Sequence, residues 1–252
     1  MDATTETARM LEELQANHWP ALQTMLLDGW LLRFADGYSK RANSIQPLFP
    51  SSLDAEHKIT MCERIYTDRQ LRPVFKIAPC VQPADLDDLL ERKGYALVDI
   101  ASVQCMPLAD VKEPSIRTAA IDETVTGEWL DHYCRLSGSN DRQRATMRQM
   151  FANIRTKAAF VTLYHEGQAV ACGIGVVERG YIGLWDIITG VQYRKRGFGE
   201  QLLLNLLAWG RQNGAQHGYL VVVADNAPAL KLYAKLGFRE AYRHWYRVHP
   251  GA

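Results

Sequence analysis

The sequence predicts an α/β fold with a mixed sheet, and three patterns predict it. Residues 74–106 and 219–248 each run apolar strand, loop, helix closing on Gly-aromatic, then strand. Residues 158–189, "AAFVTLYHEGQAVACGIGVVERGYIGLWDIIT", read as three successive strands turning at His165-Glu166-Gly167 and Glu178-Arg179-Gly180. Leu202, Leu203, Leu206 and Leu207 form an apolar helical stripe of the kind that seats a helix on a sheet.

Residues 4–18 come first and read as a helix, with Leu11, Leu14 and His18 near one face. Asp28-Gly29 and Asp36-Gly37 are turn signals, and strands are expected near 29–35 and 42–48. Ser51, Ser52 and Asp54 can cap a helix over about 54–69. "RPVFKIAP" is a short strand, and "PADLDDLLERKG" a helix with Pro83 near its start and Gly94 past its end. "YALVDIASVQCMPL" is a long alternating strand. The polar segment 109–115 is the natural linker, dividing a domain of residues 1–110 from one of 115–252. The second part opens with two helices, in "IDETVTGEWLDHYCRLSG" and "DRQRATMRQMFANIR", before its three strands. It closes with strand "GYLVVVADN", helix "APALKLYAKLG" and strand "FREAYRHWYRV". The shared order of the two strand–helix–strand runs points to an old tandem duplication.

Composition limits the function. The chain has 252 residues, 47% of them hydrophobic, enough for a full core without staples. A net charge of +1 argues against broad electrostatic binding to nucleic acid or an anionic membrane. No apolar run nears the roughly 20 residues of a membrane span. The acidic, helix-like start "MDATTETARMLEELQANHW" does not read as a signal peptide. Cys62, Cys80, Cys105, Cys134 and Cys172 are odd in number and scattered, as reduced thiols of a cytoplasmic protein would be.

"VQYRKRGFGEQLLLNLLAWG", residues 191–210, carries the chemistry. Taken as a loop and helix start, it offers about four unpaired N–H groups and roughly half a positive charge. Gly197 and Gly199 remove the Cβ atoms that would hold a ligand away, and Arg194, Lys195 and Arg196 add charge. That describes a site for a phosphorylated anion, or else an exposed basic turn before an ordinary helix. No Walker loop is present, and Leu202 stands where a dinucleotide fingerprint needs its third glycine.

Arg194 to Gly199 does fit Arg-x-x-Gly-x-Gly, and here the chain resembles motif A of the GNAT (GCN5-related) N-acetyltransferase superfamily. "WDIITGVQYRKRGFGEQLLLNLLAWG" is similar to its fourth strand, pyrophosphate loop and third helix, and "VVVADNAPALKLYAKLGF" to motif B. The resemblance spans about residues 116–248 and implies a GNAT acyl-CoA N-acyltransferase fold there. The first half lacks the loop motif, reading "PLFPSSLDAE", and would be a degenerate GNAT-like domain shaping the acceptor pocket.

The resemblance implies acetyl-CoA as acyl donor and no metal. Arg194, Lys195, Arg196, Gly197, Phe198, Gly199 and Glu200 would hold the pyrophosphate, and Asn226 would contact the coenzyme or cap its helix. The backbone of Ile187, Ile188 and Thr189 would pair with the pantetheine amides. Tyr233 stands at the family's general-acid position and would also touch the coenzyme. It lies equally on a core-like stripe with Leu230, Ala234 and Gly237. Asp186 would take the amine's proton, anchor a cationic substrate or end in a strand-end salt bridge; Glu178, in a turn, is the weaker base. Cys172 reads as core, since direct attack needs no enzyme nucleophile. Trp30, Arg33, Arg41, Asn43 and Trp185 would face the acceptor or serve as ordinary core and surface.

The implied reaction is N-acetyl transfer to a primary amine of a small molecule, by direct attack through a tetrahedral intermediate, in a monomer or homodimer. A protein N-terminus or lysine as acceptor, and a non-catalytic acetyl-CoA-binding regulatory module, are the alternatives. Nucleic-acid binding by residues 194–196 lacks an interleaved aromatic platform.

Overall fold

The computed structural model describes residues 3–116 and 118–251, which divide into two compact units. Unit 1 holds residues 3–102, 223–225 and 241–251; unit 2 holds the described residues of 103–222 and 226–240.

Unit 1 opens with α1 (Ala3–His18), which buries Ala8, Leu11, Leu14 and His18 as its periodicity predicts. Then come β1 (Gln23–Leu27) and β2 (Trp30–Phe34), an antiparallel hairpin whose last pair is Leu27↔Trp30. Its two-residue turn has φ +42° at Asp28 and +85° at Gly29, the both-positive backbone that matches strand twist. β3 (Ile45–Pro47) pairs antiparallel with β2, and parallel with β4 (Val74–Ile77) through Ile45↔Phe75. A parallel neighbour requires a crossover, supplied by α2 (Ala55–Thr67). Asp54 caps α2 by accepting from His57 N–H. α3 (Leu86–Arg92) and the first half of β5 (Ala96–Pro107) follow. Trp30, Leu32, Ile45, Ile59, Phe75 and Leu90 are among the residues that make the core.

Unit 2 begins within β5 and adds β6 (Ala119–Asp122), α4 (Gly127–Ser137) and α5 (Asp141–Ala152). Thr126 caps α4, and Asn140 with Gln143 forms a full capping box at α5. β7 (Lys157–His165), β8 (Gln168–Glu178) and β9 (Tyr181–Thr189) make the three-stranded meander, with β6 antiparallel on β7. Both turns are as the sequence predicts, with φ +50° and +74° at Glu166-Gly167 and +50° and +79° at Arg179-Gly180. α6 (Phe198–Gln212) crosses over to β10 (His217–Val223), parallel to β9. Leu202, Leu203, Leu206 and Leu207 are all buried, each worth about 2 kcal/mol of transfer. α7 (Ala227–Leu236) ends on Gly237 at φ +102°, and β11 (Arg239–Val248) closes the chain's secondary structure.

Three features depart from the sequence reading. Two strands, β1 and β6, emerge where none was expected. The segment 109–115 does not mark the division, which falls within β5 at residues 102/103. Residues 241–251 belong with unit 1, because β11 pairs antiparallel with β4 from Trp245↔Ile77 to Val248↔Val74. Among the described residues, no helix is long and apolar enough to cross a membrane.

Candidate active site

The site lies in unit 2, where β9 stops pairing with β10. Their parallel register runs from Tyr181↔His217 to Leu184↔Leu220. On its other side β9 pairs Trp185 with Ile174 and Ile188 with Cys172, so β9 carries one residue more than β8 over this stretch. That is a bulge at Asp186-Ile187. Asp186 takes φ +47°, a left-handed value that Asp tolerates better than most residues. Gly173 stands opposite, and a Cβ there would come within 2.7 Å of Ile187 Cδ1. A glycine on β8 therefore makes room for the bulge on β9.

Beyond the bulge a cleft of about 680 Å³ opens. Ile187, Ile188 and Thr189 of β9 form one wall, and Asn226, Pro228, Ala229 and Leu232 at the start of α7 another. Its floor is Tyr193, Arg194, Lys195, Gly197, Phe198, Gly199 and Glu200. A 3₁₀ turn, Val191–Tyr193, brings the chain out of β9. Left-handed residues at Lys195 (φ +60°) and Gly197 (φ +83°) then swing it into α6. Gly197 is the N-cap and no side chain caps the helix. The first-turn N–H groups of Phe198, Gly199 and Glu200 thus have no intrahelical acceptor, and their residues line the cleft. A Cβ at Gly199 would lie 3.3 Å from Thr189 Oγ1 and 3.6 Å from Leu232 Cδ2, inside the gap between the walls. A bare backbone, an uncapped helix start and two basic residues fit a diphosphate ester.

Ten of the twelve residues expected at the coenzyme line this one cleft: Ile187, Ile188, Thr189, Arg194, Lys195, Gly197, Phe198, Gly199, Glu200 and Asn226. Asn226 also caps α7, its Oδ1 accepting from Ala229 N–H at 3.3 Å. Glu200 is ion-paired with Lys235, and Arg194 Nε donates to the Thr189 carbonyl at 3.4 Å. Arg196 is not in the wall: its guanidinium lies 3.1 Å from His165 Nε2 and 5.1 Å from the Phe198 ring centre. Tyr233 is not in it either. It follows the wall residue Leu232, is buried, and packs edge-on to Phe238 at 6.0 Å. Burial raises its phenol pKa, which keeps it protonated.

Of the residues expected at the acceptor, Trp30, Arg33, Asn43 and Trp185 are buried and Arg41 is half-buried. Trp30 is fully buried in unit 1, donating Nε1–H to the Gln82 carbonyl at 2.9 Å beneath Lys58. Arg33 is buried too, and its guanidinium donates to the carbonyls of Arg41, Ala16 and Trp19. Asn43 holds the 35–43 loop: its Oδ1 accepts from Ala35 and Gly37 N–H, and its Nδ2 donates to the Ala35 and Ser39 carbonyls. The Arg41 guanidinium sits over Trp19 at 4.7 Å. Trp185 is buried edge-on to Tyr219 at 6.0 Å. Cys172 is buried beside Thr162, its thiol pushed up to about 12 by burial, so Cys172 itself is no ready nucleophile. Tyr193, Pro228, Ala229 and Leu232 also line the cleft, and the sequence reading missed them; the last two follow Asn226 at helical i+3 spacing.

Comparison with known proteins fits this geometry. Residues 5–247 match the family model described as "Probable histone acetyltransferase Rv0428c C-terminal". YobR of Bacillus subtilis, named as an uncharacterized N-acetyltransferase, is 29% identical over 95% of this chain and 98% of its own. The "Probable histone acetyltransferase Rv0428c" of Mycobacterium tuberculosis is 31% identical over 94% of this chain and 73% of its own. A GCN5-related N-acetyltransferase from Kribbella flavida has a similar fold, with a TM-score of 0.73 at 14% identity over 97% of this chain and 96% of its own. A tandem GNAT protein from the clavulanic acid biosynthesis pathway superposes with a TM-score of 0.64 at 13% identity, over 96% of this chain and 88% of its own. Loop, cleft and likeness agree: the chain belongs to the Rv0428c C-terminal acetyltransferase family and is a GNAT-type N-acetyltransferase.

Proposed function

We infer that the cleft of unit 2 binds acetyl-CoA and that the enzyme moves its acetyl group to a primary amine of a small molecule. The uncapped start of α6, facing the cleft beside Arg194 and Lys195, carries this reading. The first-turn N–H groups would hold the pyrophosphate. The backbone of Ile187, Ile188 and Thr189 would take the pantetheine arm as an added strand. A backbone N–H of this strand would polarise the thioester carbonyl and stabilise the oxyanion.

The neutral amine attacks the thioester carbonyl carbon, the tetrahedral intermediate collapses, and the C–S bond breaks. Asp186, on the bulge, takes the ammonium proton directly or through water. Tyr233, next to Leu232 on α7, gives its phenolic proton to the departing thiolate. Its burial supports that role, because it stays protonated at neutral pH.

Free-thiol release from acetyl-CoA, assayed over polyamines, amino acids, amine-bearing antibiotics and histone-tail peptides, tests the reading. A small amine should give the highest kcat/KM, and Gly199→Val should abolish turnover. The name of the Mycobacterium tuberculosis relative favours a second reading, a protein amine as acceptor. If only peptides are acetylated, that reading replaces the first. Thiol release unchanged in Gly199→Val would reject the cleft itself.

A further inference from the structure

Unit 1 repeats the construction of the active site up to the loop that matters. In unit 2, a strand (β9) leads through a loop and a helix (α6) into a parallel neighbour (β10). In unit 1, β3 leads through residues 48–54 and α2 into its parallel neighbour β4. The preceding hairpins correspond as well. The β7–β8 turn brings His165 against Arg196 of the loop before α6 and against Phe198, the first residue of α6. The β1–β2 turn brings Asp28-Gly29 against the loop before α2: Phe49 N–H donates to the Gly29 carbonyl at 3.1 Å. A Cβ at Gly29 would strike the Pro50 carbonyl oxygen at 2.5 Å, so only glycine lets the turn dock.

What the docked turn delivers is a carboxylate. Asp28 accepts from Ser52 N–H at 3.0 Å, Leu53 N–H at 2.8 Å and Ser52 Oγ–H at 3.0 Å. Lys58, with its side chain fully buried, lies 3.4 Å from Asp28 Oδ2 and donates to the Asp28 carbonyl oxygen. Backbone N–H groups, a hydroxyl and a buried cation converging on one oxyanion is what a phosphate loop offers its ligand. A second carboxylate, Asp54, takes the helix N–H of His57, where the matching position before α6 is the capless Gly197.

We propose that the loop before α2 is a second anion loop, closed in the native chain by the Asp28 carboxylate, so that unit 1 takes no coenzyme. That the coenzyme binds once per chain, at α6, rests on the Proposed function; the plug in unit 1 does not.

The test compares two chains that differ only at position 28, both carrying Gly199→Val so that the unit 2 cleft is shut. Inorganic phosphate and pyrophosphate are the probes, read by thermal unfolding against sodium chloride at matched ionic strength. The Asp28→Ala chain should melt lower in chloride and regain about 4 °C or more in about 100 mM phosphate. Its parent should not respond. An equal response from the two chains overturns the plug. If Asp28→Ala does not fold, Asp28→Asn keeps the shape and removes the charge. Hydrogen bonds from Leu53 and Ser52 hold Asp28 down at about 2, so its stabilisation is present above the unfolded value near 4 and lost as pH falls through about 2. The stability gap between Asp28→Asn and its parent should therefore close from pH 5 toward pH 2; a gap independent of pH refutes the plug. Titration of the wild-type chain with CoA separates the two claims. One site per chain supports both, two sites overturn the plug, and none overturns the coenzyme reading while the phosphate comparison still decides the plug.

Discussion

Gly199→Val separates folding from binding. Gly199 lies in the first turn of α6 with ordinary helical backbone, and its missing Cβ would point between Thr189 and Leu232, at 3.3 and 3.6 Å. Thr189 Oγ1 must give by a few tenths of an ångström, which a side-chain hydroxyl can do. Valine is no poorer a helix former than glycine, which costs about 1 kcal/mol against alanine. Fold stability should therefore change by less than about 1 kcal/mol. The added methyl groups occupy the gap between β9 and α7 and hold a ligand off the N–H groups of the first turn. Losing two hydrogen bonds to a charged diphosphate, at roughly 1.5–3 kcal/mol each, gives about 3–6 kcal/mol. That is a weakening of Kd by about 10²–10⁴. Isothermal calorimetry with CoA and a thermal melt check both halves. CoA affinity within about threefold of wild type, in a variant that melts normally, would refute the reasoning.

Further substitutions probe the rest. Gly197→Val meets no atom within 4 Å but must hold φ +83°, so it should cost about 1–2 kcal/mol of stability, read as a lower melting temperature. Tyr233→Phe should lower kcat at least about tenfold while calorimetry shows CoA binding unchanged. Lys76→Met strands the buried Glu12, its partner at 2.5 Å, and should cost about 3–5 kcal/mol in urea unfolding; adding Glu12→Gln should restore part of it. His244 is held well below 6.5 by burial and by the charges of Lys76 and Arg41, so the folded chain refuses a proton that the unfolded chain accepts. Stability should fall as pH drops below about 6.5, by up to about 1.4 kcal/mol per unit, and His244→Gln should flatten that slope in urea titrations at pH 7 and 5.5.

The sequence made most elements and most of the cleft legible, because their signals are local. Turn pairs such as Glu166-Gly167, helix closers such as Gly237 and the Gly-x-Gly of the loop each act within a few residues. β1 and β6 gave no such signal: they are largely exposed, and neither alternates. β11 reads as the last strand of the domain before it in sequence, and only its pairing with β4 assigns most of it to unit 1. Arg33 and Asn43 read as polar groups in search of a ligand. Their partners are main-chain carbonyls and amides that only the folded chain brings to them. The bulge at Asp186 had a trace in Gly173, but a glycine in a strand does not say which neighbour needs the room.

The helix starts bear on the active-site loop. α2, α4, α5 and α7 each have a side-chain cap, from Asp54, Thr126, Asn140 and Asn226, whereas neither α3, which starts on Asp85, nor α6 has one. A polar cap is worth about 1 kcal/mol over alanine, so chains tend to keep one. α6 carries the most thoroughly buried stripe of unit 2, yet it starts on a glycine, behind a left-handed lysine and next to a bulged strand. Each choice alone is a small local loss; together they leave the amides at one spot bare, positive and accessible. Fold stability does not call for that combination, since the loop before α2 spans a similar crossover with its amides satisfied by Asp28 and Asp54. On the proposed reading, the two loops differ as an anion site kept open for a ligand differs from one filled by the chain itself.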